Sequence, residues 1–403
     1  MGYGHLRPAA ALARWLGTAV LQIDRPPFGD ARDAAFWQRS RKLYEPLTRV
    51  SQLPGLGAPL RALLNTITAI PEPWPSRDHS GPTQGTRWLQ RAAKDGVGEE
   101  LAKHLLTTGA PLLATFYAAP ILAELHGAKR LSCVVTDSDV NRVWAPPEGA
   151  KSEIVYFCPS DRARRRLVSY GVREEQARLT GYPLPHELVG GRERTALKHN
   201  LAGRLSRLNA QGAVRDLAER ELGPLPAPDR PPLVVFAVGG AGAQVPLAKE
   251  LLRGMKPQLE REQLRLTLVA GRRAEVASAL RSEIEKAQVR GVELLEESDV
   301  FRYFERFNVL LARADVLFSK PSELTFFAAL GLAFVAAPPV GVHEAWNLRW
   351  ATDRGAALVQ HDPRFAGEWL LEWLQAGVLA GAALNGFLRL PQTGLYDICD
   401  QVS

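Results

Sequence analysis

Short apolar runs rich in β-branched and aromatic residues alternate with longer stretches of helical periodicity along most of the chain, and this alternation limits the fold more than any other feature. In the first half the runs are Thr18–Ile23, Leu112–Tyr117, Leu131–Thr136, Ile154–Cys158 and Ala177–Thr180. In the second half they are Leu233–Val238, Leu264–Ala270, Val292–Leu295, Val316–Ser319, Ala333–Ala337 and Ala357–Val359. Val245–Met255, Ala274–Ala287 and Ser322–Leu330 read as helices between them. A strand that returns to the same sheet through a helix pairs in parallel with its predecessor. The pattern therefore predicts an α/β chain of parallel sheets covered by helices on both faces.

The alternation is interrupted once by Leu222-Gly223-Pro224-Leu225-Pro226-Ala227-Pro228-Asp229-Arg230-Pro231-Pro232. Its prolines can continue neither a helix nor a central strand. With 403 residues and roughly 150 per domain, two to three domains are expected. We place one over residues 1–224 and one over 233–403, joined by the linker 225–232. Residues 25–100 are less regular and hold Trp37, Trp74 and Trp88, which we assign to packing; Leu56–Ile70 reads as an amphipathic helix.

Composition excludes several classes. The longest apolar run, Phe326–Val340, is too short to span a bilayer and ends on Pro338-Pro339-Val340. Nothing near Met1 has the form of a secretory signal. Cys133, Cys158 and Cys399 form no metal-binding spacing and read as reduced thiols, which points to a cytoplasmic protein. The net charge is +7, and the whole positive excess falls within residues 1–225. A solvated basic face explains it, and so does attraction to an anionic partner or to a membrane periphery. No nucleic-acid motif accompanies the charge, so no nucleic-acid partner is expected.

Four segments carry residues suited to chemistry. Gly2-Tyr3-Gly4-His5 precedes the helical run Ala9–Leu16 and reads as a glycine turn opening a helix, with His5 at its mouth. Histidine is the side chain there that can take up a proton near neutral pH. Such a turn ordinarily follows a strand, and none precedes Gly2, so a missing N-terminal segment is expected. Val238-Gly239-Gly240-Ala241-Gly242-Ala243-Gln244 follows an apolar strand and precedes a helix, the arrangement that brings backbone amides to a diphosphate. Ser319-Lys320-Pro321-Ser322-Glu323-Leu324-Thr325 leaves another strand for a helix. Its Glu323 carboxylate could accept both hydroxyls of a ribose, while plain helix capping explains Ser322 and Glu323 equally well. Gly341-Val342-His343-Glu344-Ala345-Trp346-Asn347 offers polar groups to sugar hydroxyls at a third strand end. Ligands of open parallel sheets bind at the carboxyl ends of strands, so these three ends are expected to line one crevice. In the first half Val135-Thr136-Asp137 ends a strand in a carboxylate, and Arg162–Arg166 reads as a solvated helix face.

With these segments in view, the chain resembles GT-B glycosyltransferases near the plant monogalactosyldiacylglycerol synthases and the bacterial peptidoglycan N-acetylglucosaminyltransferase. Gly2 to Pro8 looks like the family's N-terminal glycine loop, and Thr136-Asp137 like its strand-end pair. The stretches Cys158–Ser160 and Thr180–Pro183 look like the segment before its interdomain linker. Gly239 to Gly242 matches its second glycine loop, and Ser319–Glu323 and Gly341–Asn347 look like its ribose and donor-sugar segments. The chain departs from the family at Lys320-Pro321, where relatives have a glycine-rich entry, and at His343-Glu344.

The resemblance implies a GT-B fold of two Rossmann-like domains facing a central cleft. It also implies inverting, metal-independent transfer of a hexose-type sugar from a nucleotide-diphosphate donor, a uridine one by expectation, to a hydroxyl acceptor that is unidentified and for which a lipid is attractive. Gly239, Gly240 and Gly242 would hold the diphosphate. Ser319, Glu323 and Thr325 would take the nucleotide, and His343, Glu344 and Asn347 the sugar. His5 would be the base, supported by Asp137, with Gly2 and Gly4 shaping its loop. No cofactor and no metal are implied. A nucleotide-sugar 2-epimerase on the same fold and a non-catalytic sugar-nucleotide binder remain alternatives.

Overall fold

The structure, a computed structural model, describes residues 2–51, 69–239, 242 and 244–402, with backbone alone for residues 41 and 43–51. All but the end of the helix expected over Leu56–Ile70 lies outside the described residues, as does Gly240.

The chain divides into two compact units. One comprises residues 1–7, 183–339 and 347–396, the other residues 8–182, 340–346 and 397–403. The expected domains 1–224 and 233–403 differ from this division chiefly over residues 183–222. Helix Thr195–Leu208 packs on the C-terminal sheet unit through Arg204, which is fully buried. Arg204 donates to the carbonyls of Ala314 (2.6 Å), Leu330 (2.8 Å) and Leu311 (3.2 Å). Burial pulls its guanidinium down to about 10.

In the second unit, β1 (Leu112–Ala114), β2 (Leu131–Val134), β3 (Val155–Cys158) and β4 (Ala177–Leu179) form a parallel sheet in that order. Its core joins Ile121 and Leu122 of helix Ala118–Leu125 to Cys133, Val135, Tyr156, Cys158 and Leu167. All three cysteines are free and buried. Trp37 packs against this core, Trp88 stacks on Phe36, and Trp74 is exposed.

The expected strand Thr18–Ile23 does not form. Thr18, Ala19, Leu21 and Gln22 are exposed between Gly17, whose φ is +65°, and the Pro26-Pro27 pair. An apolar run without a neighbouring strand has nothing to satisfy its backbone groups.

The first unit carries a six-stranded, fully parallel sheet in the order β10 (Ala357–Val359), β9 (Ala333–Ala336), β8 (Val316–Ser319), β5 (Leu233–Ala237), β6 (Arg265–Gly271), β7 (Val292–Glu296). Strands β5, β8 and β9 are buried along their whole length, which is why their sequences are continuously apolar rather than alternating. The chain winds outward from β5 through β6 and β7, then restarts on the other side of β5 with β8. The strand order therefore reverses between β5 and β8, the place where open α/β sheets leave a crevice at their carboxyl ends.

After β8 the chain forms a 3₁₀ helix, Glu323–Leu330, rather than the expected α-helix. Helix Val378–Arg389 lies against it without room for a side chain at Gly386: an added Cβ there would overlap the backbone carbonyl of Ala328. Gly386→Ala is therefore expected to cost about 1–3 kcal/mol through overpacking, read as a lower urea midpoint at unchanged slope. An unchanged midpoint would show that the two helices part freely.

Candidate functional site

The parallel register between β5 and β8 aligns Ala237 with Ser319. The Ser319 hydroxyl fixes that alignment by donating to the Ala237 carbonyl at 3.0 Å. From β5 the chain turns through Val238 and Gly239 to Gly242, whose amide donates to the Gly239 carbonyl at 2.8 Å. Gly242 has φ +75°, a conformation that favours glycine. Helix Val245–Glu260 begins directly after this turn, has Pro246 at its start and no acidic residue in its first turn. No carboxylate in that turn therefore offsets the positive end of the helix dipole.

From β8 the chain turns through Lys320 and Pro321. The Ser322 hydroxyl makes no cap hydrogen bond, so capping chemistry does not account for it. Glu323 is buried at the head of the 3₁₀ helix, and Thr325 is fully buried with its hydroxyl lacking a hydrogen-bond partner among the described residues. Asn347 is fully buried too, and its side-chain amide donates to the Pro321 carbonyl at 3.2 Å, bracing the turn.

Gly2-Tyr3-Gly4-His5 does not form a glycine turn ahead of a helix. The α-helix runs from Tyr3 to Trp15, and Gly2 lies at its N-terminus, its carbonyl accepting from the amides of His5 (3.2 Å) and Leu6 (3.3 Å). The alanine-rich run extends its helix backward through Gly4, the amides of His5 and Leu6 closing the first turn on Gly2. His5 is half-buried in the first helical turn. The Tyr3 ring packs on Tyr303 and Phe304, and its hydroxyl accepts from the Arg272 amide at 3.2 Å. A Cβ at Gly4 would stand 3.6 Å from Glu323 Oε2, so Gly4 and Glu323 are neighbours.

Arg7 was not singled out by sequence reasoning. It is buried, with Nε 3.6 Å from Glu323 Oε1. Its guanidinium lies over Phe304 (4.5 Å) and Phe307 (4.8 Å), with Tyr303 and Phe327 beyond. Nε and Nη1 make no hydrogen bond among the described residues. The aromatic faces and the carboxylate together offset the cost of burying this cation. Burial also pushes the Tyr303 hydroxyl well above the ordinary phenol range.

The remaining expected residues lie in the second unit. Asp137 is half-buried beyond the end of β2. His343 is about half exposed, while Glu344 is buried and accepts from the Val340 amide at 2.8 Å, holding the start of its own helix. The Arg162–Arg166 segment is not a uniformly solvated face. Arg166 is buried in a two-pronged pair with Asp139 (2.8 and 3.0 Å), and Arg162 lies 4.9 Å from the Trp346 ring centre. Burial pushes the Asp139 carboxyl up even with Arg166 beside it. Among the described residues, no group of three or more His, Cys, Asp or Glu could hold a metal ion, and no helix is long and apolar enough to cross a membrane.

Two parallel-sheet α/β units on one chain, the larger with its strand order reversing at β5 and β8, define the class: the chain has a GT-B fold. The crystal structure of Acinetobacter baumannii MurG is similar over 99% of this chain and 96% of that one, with TM-score 0.50 and 13% identity. Among curated proteins, a processive diacylglycerol beta-glucosyltransferase of Bacillus licheniformis is 23% identical over 230 residues, 56% of this chain and 49% of that protein. One of the same description from Bacillus subtilis is 22% identical over 230 residues, 56% of this chain and 50% of that protein. The chain spans about half the length of the curated relatives it matches. No protein-family model matches it.

Proposed function

We propose that the chain is an inverting, metal-independent glycosyltransferase that moves a hexose from a uridine-diphosphate donor to the hydroxyl of a lipid of the diacylglycerol type at the membrane periphery. The observation that carries this reading is the pair of segments at the β5–β8 reversal, one a glycine turn opening a helix and the other bearing the buried Glu323. The first suits a diphosphate and the second a ribose. The described diacylglycerol glucosyltransferases support the lipid acceptor.

In this reading the turn at Gly239, Gly240 and Gly242 holds the diphosphate, and Glu323 accepts the two ribose hydroxyls, with Ser319 and Thr325 beside it. His343, Glu344 and Asn347 are assigned to the sugar. The acceptor oxygen attacks the anomeric carbon as His5 takes its proton, and the bond from that carbon to the diphosphate breaks. Asp137 supports the acceptor side. Charge building on the departing diphosphate meets amides oriented before the reaction begins.

Calorimetric titration of uridine diphosphate tests the donor half. Glu323→Gln fills the same space beside Arg7, yet presents one acceptor where the carboxylate presents two. We expect affinity to fall roughly 10- to 100-fold, the size of a lost charged hydrogen bond. Equal affinity in wild type and variant would remove Glu323 from the donor site.

A further inference from the structure

We propose that Lys320 binds the donor diphosphate and supplies a full positive charge opposite the departing group; this rests on the donor reading above. Lys320 follows β8 by one residue, as Gly239 follows β5 by two, and the register that pairs Ser319 with Ala237 makes the two neighbours across the strand ends. The lysine side chain runs over the glycine turn. A Cβ at Gly239 would stand only 2.8 Å from Lys320 Cε and 3.2 Å from Cδ. The missing side chain at Gly239 is thus what leaves space for Lys320, whose ammonium lies one bond beyond Cε. On the other flank, a Cβ at Gly242 would stand 3.8 Å from Arg273 Cδ. Helix Val245–Glu260 points its N-terminus at the same place with no acidic residue in its first turn.

Magnitudes show why a lysine matters here. A helix N-terminus is equivalent to about half a positive charge. The departing nucleoside diphosphate gains a whole negative charge when its bond to the anomeric carbon breaks, so the helix alone leaves it partly uncompensated. A half-buried ammonium at the turn makes up the difference.

The test compares two probes, uridine diphosphate and uridine, by calorimetry. Lys320→Met keeps the methylene packing over Gly239 and removes the ammonium, and Lys320→Arg restores a charge. We expect Lys320→Met to weaken uridine diphosphate roughly 10- to 100-fold, to leave uridine affinity unchanged, and Lys320→Arg to recover most of the loss. Retained uridine binding also shows that the variant is folded. The proposal fails if Lys320→Met binds the diphosphate as the wild type does, or if uridine weakens as much as the diphosphate. Wild-type protein that binds no uridine diphosphate would instead sink the donor reading, and this proposal with it.

Discussion

Replacing Asp315 with alanine is expected to destabilise the protein by about 3–5 kcal/mol, the cost of removing one partner from a buried ion pair. Asp315 is fully buried immediately before β8. One carboxylate oxygen accepts from Arg207 Nε at 2.9 Å, and the other from Arg230 Nη1 and the Leu233 amide, both at 2.7 Å. Arg230 belongs to the proline-rich stretch and Leu233 opens β5, so a single carboxylate fastens that stretch to the centre of the sheet. Without it, the Leu233 N–H loses its acceptor, and Arg207 and Arg230 lose their buried carboxylate, keeping only the exposed Asp229 and the carbonyls of Pro231 and Arg313. Urea unfolding followed by circular dichroism measures the loss, and Asp315→Asn, which keeps an acceptor, should fall between wild type and alanine. A change under about 1 kcal/mol would mean that water reaches these guanidinium groups.

His5→Ala is expected to lower turnover roughly 10²- to 10⁴-fold, the usual contribution of a positioned general base, while uridine diphosphate binds as tightly as before. The separation follows from the structure. At the start of that helix Tyr3 packs on Tyr303 and Phe304, and Arg7 lies beside Glu323, so the groups that face the donor side hold contacts of their own. The measurement is hexose transfer from a uridine-diphosphate donor to diacylglycerol in mixed micelles, with binding followed by calorimetry. Wild-type turnover in the variant would remove His5 from the chemistry, and loss of binding together with turnover would recast it as a support for the donor site.

The strands of the six-stranded sheet were legible because each is buried on both faces, so local composition alone reports them; Leu233–Ala237 is apolar throughout. Thr18–Ile23 also holds apolar and β-branched residues and forms no strand, since pairing depends on a neighbour that composition does not encode. The glycines before His5 misled for a related reason. A glycine turn and the first turn of a helix use the same residues, and only the hydrogen bonds to Gly2 distinguish them. Arg166 read as solvated because its partner, Asp139, sits on a different element. Arg7 went unnoticed because Glu323 lies far along the chain. Charged residues are the least readable from local pattern, since their burial is decided by a partner brought in by the fold. Ser319, Glu323 and the glycine turn were readable because topology alone places them at strand ends.

The division of the chain bears on how it is made. The six-stranded unit takes Met1–Arg7 from the start and residues 347–396 from near the end, and the four-stranded unit takes residues 397–403. During synthesis the six-stranded unit cannot assemble all its parts until residue 396 has left the ribosome, and the four-stranded unit waits for the residues after it. At roughly 5–20 residues per second, that leaves the buried strands β5 and β8 exposed for seconds at least.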